Sequence, residues 1–207
     1  MIILQETPGF QMGEKINEAA IAKRFNCSVT PVREAINMLR QAGLIVGDSY
    51  QSSSIVNFSR KDAEDLFDIR KCLELWAFRK AIPLLTEEDK NALNIAQRHY
   101  QQAYEVFDEN AIIRCNWEFH NIIIQRADNK YLREEINSLV DRISMVRAPV
   151  PQYKKNLGSQ ETLMLPVREH EVILTMIRKG DFQGAEEALT SHLDRVKAEA
   201  MEMLENG

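Results

Sequence analysis

The sequence has 207 residues, enough for one or two domains with a buried core, and its net charge of −5 excludes a uniformly basic nucleic-acid-binding chain. Its three cysteines, Cys27, Cys72 and Cys115, are widely spaced, which favours a reducing cytosol over a disulfide-linked secreted fold. No apolar run approaches the roughly 20 residues that cross a bilayer, and no secretory signal opens the chain, so we predict a cytoplasmic protein without a membrane segment.

Two helices separated by a tight turn are predicted near the start of the chain. The first covers residues 16–25, and the second begins near Ser28 and Thr30, which are side-chain acceptors suited to a helix start. Pro31 is tolerated in the first turn of a helix, and Gly43 ends this one. The second helix has an apolar stripe at helical spacing, formed by Val32, Ala35, Ile36, Leu39 and Ala42. This pattern predicts a helix-turn-helix, whose second helix enters the major groove of DNA.

Two short strands are predicted after the second helix, one at Ile45 and Val46 and one near Ile55 and Val56, around a polar turn. They predict a wing, and hence a winged helix-turn-helix domain over residues 1–58. Basic and acidic residues balance in this domain, so the net negative charge lies in the remainder of the chain. The opening residues look like the end of an amphipathic helix, and we therefore expect the first helix of the domain to be truncated.

A second domain of six helices is predicted over residues 59–207. The helical segments are 59–83, 86–107, 108–126, 131–146, 160–179 and 182–204. The two prolines of Ala148-Pro149-Val150-Pro151 indicate a rigid break, followed by a loop to Ser159, and an adjustment is expected at Pro166. We therefore predict a mainly α fold class, in which a winged helix-turn-helix precedes an all-α antiparallel six-helix bundle.

Three of the four histidines lie inside predicted bundle helices, at His120, His170 and His192. Asn116 lies four residues before His120, on the same helical face. Side chains from facing helices can converge on one ion, and imidazoles suit zinc, nickel, iron or copper, while a carboxylate partner extends the choice to manganese. The alternative is that each histidine is a packed or solvent-facing residue. His99, in a polar stretch, has no assigned role.

The block Thr30-Pro31-Val32-Arg33-Glu34-Ala35, followed by Gly43-Leu44-Ile45, resembles the winged helix-turn-helix of the GntR family of bacterial transcription regulators. The second domain resembles the all-helical FCD effector domain of the FadR-like branch. The runs that support this are Asp65–Glu74, Asn116–His120, Glu169-His170, Gly180-Asp181 and His192. The resemblance implies a DNA-binding regulator, not an enzyme, that binds its operator as a homodimer and senses a small organic acid.

The DNA contacts are assigned to residues at and around the second helix, namely Ser28, Thr30, Pro31, Arg33 and Arg40. Arg33 is the strongest candidate, because a guanidinium near the start of a groove-inserted helix can bind phosphate or guanine O6 and N7. The alternative is a surface salt bridge with a neighbour such as Glu34. The family usually has arginine where Val29 stands and glycines near residues 51–54, which predicts altered contacts at both places.

By position in the resemblance, the metal ligands are Asn116, His120, His170 and His192. The family usually has aspartate at Asn116, and an amide oxygen is a neutral, poorer ligand. The implied cofactor is a divalent metal ion (zinc, nickel or manganese) that helps to hold the organic acid. Arg70 lies where such domains keep an arginine, so it can bind the effector carboxylate. Its alternative partner is Glu74, one helical turn further on.

Two other functions are compatible with the sequence. The three histidines can serve an enzyme that uses metal-activated water, although we find no partnered general base and no nucleophile motif. The bundle can also be a metal-free helical dimer without regulated DNA binding. We predict the transcription regulator, because the motif near Arg33, the order of the helices and the histidine positions agree with it.

Overall fold

The structure is a computed structural model, and residues 12–47, 53–156 and 160–206 are described. It divides into two compact units, Met1–Ser59 and Arg60–Gly207. The described residues are mostly helical, with one small antiparallel strand pair, which confirms the predicted fold class. The expected truncated first helix falls in residues 1–11 and lies outside the described residues, as do residues 48–52 of the expected wing turn.

The first unit contains helices α1 (Glu18–Arg24) and α2 (Val29–Gln41). Helix α1 begins where the Asn17 side chain accepts a hydrogen bond from the backbone N–H of Ala20 at 3.0 Å. In the turn between the helices, Asn26 has a φ of 49°, a left-handed conformation that asparagine adopts more readily than most residues. Helix α2 buries part of the predicted stripe, through Val32, Ile36 and Leu39.

The wing strands are β1 (Ile45–Val46) and β2 (Ser54–Ile55), which pair antiparallel with Ile45 opposite Ile55. Gly43 lies just beyond α2 with a φ of 73°, where a side chain would be strained, and it turns the chain into β1. The strand pair closes the core of this unit, since buried side chains include Leu44, Ile45 and Ile55.

The second unit is a helical bundle built around its first helix. Its elements are α3 (Arg60–Ala81), a 3-10 turn (Ile82–Leu84), α4 (Glu87–Glu105), α5 (Glu109–Arg126), α6 (Lys130–Arg147), α7 (Val150–Asn156), α8 (Gln160–Leu163), α9 (Leu165–Lys179) and α10 (Phe182–Asn206). Helix α3 packs against α5, α6 and α10, while α4 packs against α5 and α9. Side chains of α3 therefore meet those of three other helices inside the bundle.

One sequence prediction for the bundle was wrong, and a second holds only in part. The stretch predicted as a break and a loop contains helix α7, because Pro149 and Pro151 fall at the start of that helix, where a missing N–H costs no hydrogen bond. The helix predicted over residues 160–179 is two helices, α8 and α9, that meet at Met164. Pro166 lies in the first turn of α9 and cannot donate a hydrogen bond to the preceding turn, so the chain starts a new helix there.

Apolar side chains from most of the long helices form the bundle core, with Phe78, Leu93, Phe119, Ile173 and Leu189 among the most buried. None of the helices in the described part of the chain combines the length and hydrophobicity that crossing a membrane requires.

Candidate functional site

The three histidines singled out in the sequence meet inside the bundle. His120 on α5, His170 on α9 and His192 on α10 are all buried, and one ring nitrogen from each lies within 4.8 Å of the others. Nε2 of His170 is 3.3 Å from Nε2 of His192, and Nε2 of His120 has no hydrogen-bond partner. Three imidazole nitrogens therefore face one small volume, an arrangement that suits a divalent metal ion.

Two carboxylates orient these rings from behind. Glu74 Oε2 accepts from Nδ1 of His120 at 2.8 Å, and Glu169 Oε2 accepts from Nδ1 of His192 at 2.6 Å. A carboxylate on the outer nitrogen fixes the tautomer that leaves the Nε2 lone pair free, and it raises the basicity of that nitrogen. The ring of His170 is held by stacking instead, with ring centroids 4.3 Å from Phe119 and 4.8 Å from Tyr100.

Asn116 lies one turn before His120 on α5, as the spacing predicted, and it is buried. Its Oδ1 has no hydrogen-bond partner. A buried amide oxygen without a partner is unfavourable in a folded protein unless a ligand completes it. Added to the three imidazole nitrogens, this oxygen would give a donor set of one oxygen and three nitrogens, whose chemistry fits a divalent metal.

Burial sets the charge state of these side chains. It lowers the pKa of His120, and it lowers the pKa values of His170 and His192 well below their ordinary value. The imidazoles are therefore neutral at pH 7, which is the form that binds a metal. Burial alone would raise the pKa of Glu74, but Arg70 and His120 outweigh it and hold that pKa below the ordinary value, so the carboxylate stays ionised.

Arg70 forms the ion pair that the sequence offered as an alternative to effector binding. Its Nε donates to Glu74 Oε1 at 2.5 Å, and both side chains are almost completely buried. One guanidinium nitrogen, Nη2, is nevertheless buried without a hydrogen-bond partner. Arg70 and Asn116 line the same cavity between α3, α5 and α6. The ion pair with Glu74 thus leaves a donor of Arg70 available for a ligand in that cavity.

A partly buried chain of charges continues outward from His192. Arg195 binds Glu169 through two nitrogens at 2.5 and 2.6 Å, and its Nη1 is 2.5 Å from Glu199 Oε2. Lys154 on α7 completes the chain, with Nζ 2.9 Å from Glu199 Oε1. The roles of Glu74, Glu169 and Arg195 at the site were not predicted from the sequence. The sequence signals were the one-turn spacing of Glu74 from Arg70 and the position of Glu169 next to His170. Neither signal identifies the helix that faces these carboxylates.

The candidate DNA-binding residues divide into two groups. Ser28, Thr30, Pro31 and Arg33 are exposed around the start of α2. Ser28 is the N-cap residue of α2, although its side chain makes no capping hydrogen bond. Arg33 pairs with Glu18 of α1, with Nε 2.7 Å from Oε2, rather than with a residue of its own helix. Because both partners are substantially exposed, this pair contributes little stability and leaves Arg33 accessible.

Arg40, the fifth candidate, is bound to the wing. Its Nε donates to the carbonyl of Gly47 at 2.7 Å, and its Nη2 donates to Oγ of Ser53 at 2.9 Å. A further guanidinium nitrogen contacts Asn37. Arg40 therefore connects the end of α2 to Gly47, which follows β1, and to Ser53, which precedes β2. This positional role is not evident from the sequence pattern.

Two family models match the chain. Residues 65–195 match the FCD domain, and residues 7–51 match the bacterial regulatory proteins of the gntR family. A curated relative, the uncharacterized HTH-type transcriptional regulator YdhC of Bacillus subtilis, is 27% identical over 202 residues that cover 96% of this chain and 86% of that protein.

Solved structures share the fold. The structure of Escherichia coli McbR/YncC aligns with a TM-score of 0.79 at 24% identity, over 94% of this chain and 90% of that one. A metal-free FCD domain aligns with a TM-score of 0.57 at 21% identity, over 73% of this chain and 99% of that one. The curated relatives are named as transcription regulators.

Proposed function

Because this chain belongs to the GntR family of bacterial regulators and has an FCD domain, it is a transcription regulator, and we propose that its bundle senses a small organic acid through a bound divalent metal. The prediction of a regulator is confirmed, and the enzyme that the three histidines also allowed is wrong, since the relatives are regulators.

The observation that best supports the metal is the meeting of three buried ring nitrogens within 4.8 Å of one another. Asn116, one turn before His120 on the same helix, adds a buried amide oxygen without a hydrogen-bond partner. The ligands in this proposal are Asn116, His120, His170 and His192. Zinc, nickel or manganese bound there supplies a Lewis acid that attracts a carboxylate oxygen of the effector. Arg70 Nη2 donates to the same carboxylate.

The DNA-binding half of the proposal rests on the exposed start of α2. Ser28, Thr30 and Pro31 place the helix against the phosphates of the operator, and Arg33 binds phosphate or guanine. A single helix-turn-helix covers few base pairs, so the protein acts as a homodimer on paired half-sites. Because bacterial operator DNA lies in the cytoplasm, the protein acts there in this proposal.

The experiment uses untagged full-length protein. We expect elemental analysis after dialysis to find close to one equivalent of a divalent metal per chain, and His170→Ala to lose it. His99→Ala is the matched control, because His99 is exposed on α4 and remote from the cluster in sequence. Absence of metal from the unmodified protein after incubation with zinc, nickel and manganese would overturn the metal site and favour the metal-free dimer.

Operator binding is measured separately, by fluorescence anisotropy with the promoter of the gene's own operon and with random DNA of equal length. We expect salt-sensitive preference for the promoter, and a change in that affinity when a carboxylate is added. Equal affinity for both DNAs would contradict sequence-specific regulation.

A further inference from the structure

The wall of the cavity next to the histidines is mostly apolar. The cavity has an empty volume of about 550 Å³, including space open to solvent, and lies between α3, α5 and α6, with α7 at one end. Most of the lining residues are hydrophobic, among them Ile112, Trp117, Ile136, Leu139, Val140 and Ile143.

The polar residues of this cavity leave an excess of positive charge. Arg70 is balanced by Glu74, at 2.5 Å. Arg147, at the end of α6, lines the cavity as well, and no carboxylate of the described residues forms an ion pair with it. Both arginines therefore line one cavity in which Asn116 is neutral and Glu74 is the acidic lining residue.

We propose that the ligand of this cavity is a monocarboxylic acid with an apolar aliphatic or aromatic body. Its carboxylate lies between Arg70 and Arg147, and its body packs against the isoleucines, Leu139 and Val140. This inference rests on the proposed function, because it specifies the class of acid that the bundle senses. A di- or tricarboxylate fits poorly, because its further charged groups would be buried against the apolar wall without partners.

Arg147 is the specificity-determining residue in this proposal. Arg70 already has a carboxylate partner, whereas the partly buried Arg147 has no ion pair with a carboxylate of the described residues and can therefore pair with an anionic ligand. The apolar wall then selects by size, and each methylene added to a straight-chain acid is expected to tighten binding about fourfold until the cavity is filled.

The test is calorimetric titration of the metal-loaded full chain with acetate, butyrate, hexanoate, octanoate, phenylacetate, succinate and citrate. We expect one ligand per chain, rising affinity from acetate to hexanoate, and at least tenfold weaker binding of succinate and citrate than of hexanoate. Hexanamide, which has the same body without charge, is expected to bind at least tenfold more weakly than hexanoate.

Variants separate the contribution of the Arg147 charge to binding from that of the apolar cavity wall. Arg147→Met is expected to weaken hexanoate at least tenfold and to leave hexanamide unchanged, whereas Arg147→Lys retains part of the affinity. Arg133→Met is the matched control, since Arg133 is on the same helix and does not line the cavity. Ile113→Phe narrows the cavity and shifts the preference to shorter acids, while Ile113→Leu does not. Circular dichroism verifies that each variant is folded.

The outcomes distinguish this inference from the proposed function. If citrate or succinate binds as tightly as hexanoate, the apolar-body inference is wrong, while carboxylate sensing stands. If hexanamide equals hexanoate, or Arg147→Met leaves hexanoate unchanged, the role of Arg147 is wrong. If metal binds but no carboxylate does, the effector part of the proposed function is wrong as well.

Discussion

At the residue scale, Glu169 is the side chain whose role is most directly testable. Its carboxylate orients His192 and is itself held by Arg195. We expect Glu169→Gln to weaken metal binding about 10- to 100-fold, because the amide supports the imidazole less well and leaves Arg195 underneutralised. A competition titration with a chromogenic chelator measures this. Glu171→Gln, on the exposed side of α9, is the control, and an equal loss in both variants would contradict the assignment.

Arg33 is the corresponding residue of the DNA-binding unit. Replacing it with alanine is expected to weaken operator binding and to reduce by about one the slope of log affinity against log salt, if its contact is to phosphate. Anisotropy at several salt concentrations measures both quantities. Arg98→Ala is the control, because Arg98 is exposed on α4. An unchanged affinity for Arg33→Ala would contradict the contact.

The residues of the site were predictable to different degrees. His120, His170 and His192 stood out because the chain has few histidines and these three lie inside predicted helices. Their carboxylate partners were not predictable, since Glu74 and Glu169 are two among many acidic residues. Only the packing of α3 against α5, and of α9 against α10, identifies which carboxylate meets which imidazole.

At the element scale, the start of α4 shows how sequence sets a helix boundary. Oγ1 of Thr86 accepts from the N–H of Asp89 at 3.2 Å, and the Asp89 carboxylate accepts from the N–H of Thr86 at 2.8 Å. We expect Thr86→Ala to lower the free energy of unfolding by about 1 kcal/mol, measured by urea denaturation. Thr175→Ala, inside α9, is the control for loss of a threonine hydroxyl away from a helix start, and an equal cost in both variants would contradict the capping role.

The same boundary has a pH dependence. The hydrogen bond from Arg126 is the largest cause that lowers the pKa of Asp89 below its ordinary value. The folded state therefore binds this proton less readily than the unfolded state. The stabilisation is present above the unfolded pKa of about 3.9 and is lost as the pH falls through the lower, folded value. Asp89→Asn is expected to reduce the change of the free energy of unfolding with pH in this acidic range. A pH profile identical to that of the unmodified protein would contradict the linkage.

Proline accounts for the errors at this scale. The same residue that ends one helix is well suited to the first turn of the next, so a proline pair marks a boundary without indicating which side is helical. At α7 the residues after Pro149 are helical because Val150 and Pro151 are buried in the bundle and Lys154 pairs with Glu199. A sequence pattern reveals neither the burial nor the ion pair.

At the scale of the whole molecule, the architecture was predictable because two independent patterns agreed. The helix-turn-helix signals and the helical periodicity of the remaining chain each predict their own unit, and the structure contains both. Whether α5, α9 and α10 meet around a common point depends on long-range packing, which periodicity alone does not specify.

Metal removal tests the whole bundle. A metal bound only to the folded state stabilises it by about 2.7 kcal/mol when its free concentration is 100 times the dissociation constant. We expect a chelator to lower the unfolding temperature of the natural protein and of His99→Ala, but not that of His170→Ala, in differential scanning calorimetry. A chelator-insensitive natural protein would contradict stabilisation by metal.

Glu74 divides its two oxygens between Arg70 and His120, at 2.5 and 2.8 Å. An anion that draws Arg70 away from Glu74 leaves more of the negative charge of Glu74 to interact with the imidazole of His120. In the same way, a change in the contact between Glu74 and His120 alters the ion pair with Arg70. Thermodynamic reciprocity then requires that the acid and the metal alter each other's dissociation constant by one common factor. Metal titrations with and without saturating hexanoate are accordingly expected to give two different dissociation constants for the metal. Hexanoate titrations with and without metal are expected to give two dissociation constants in the same ratio.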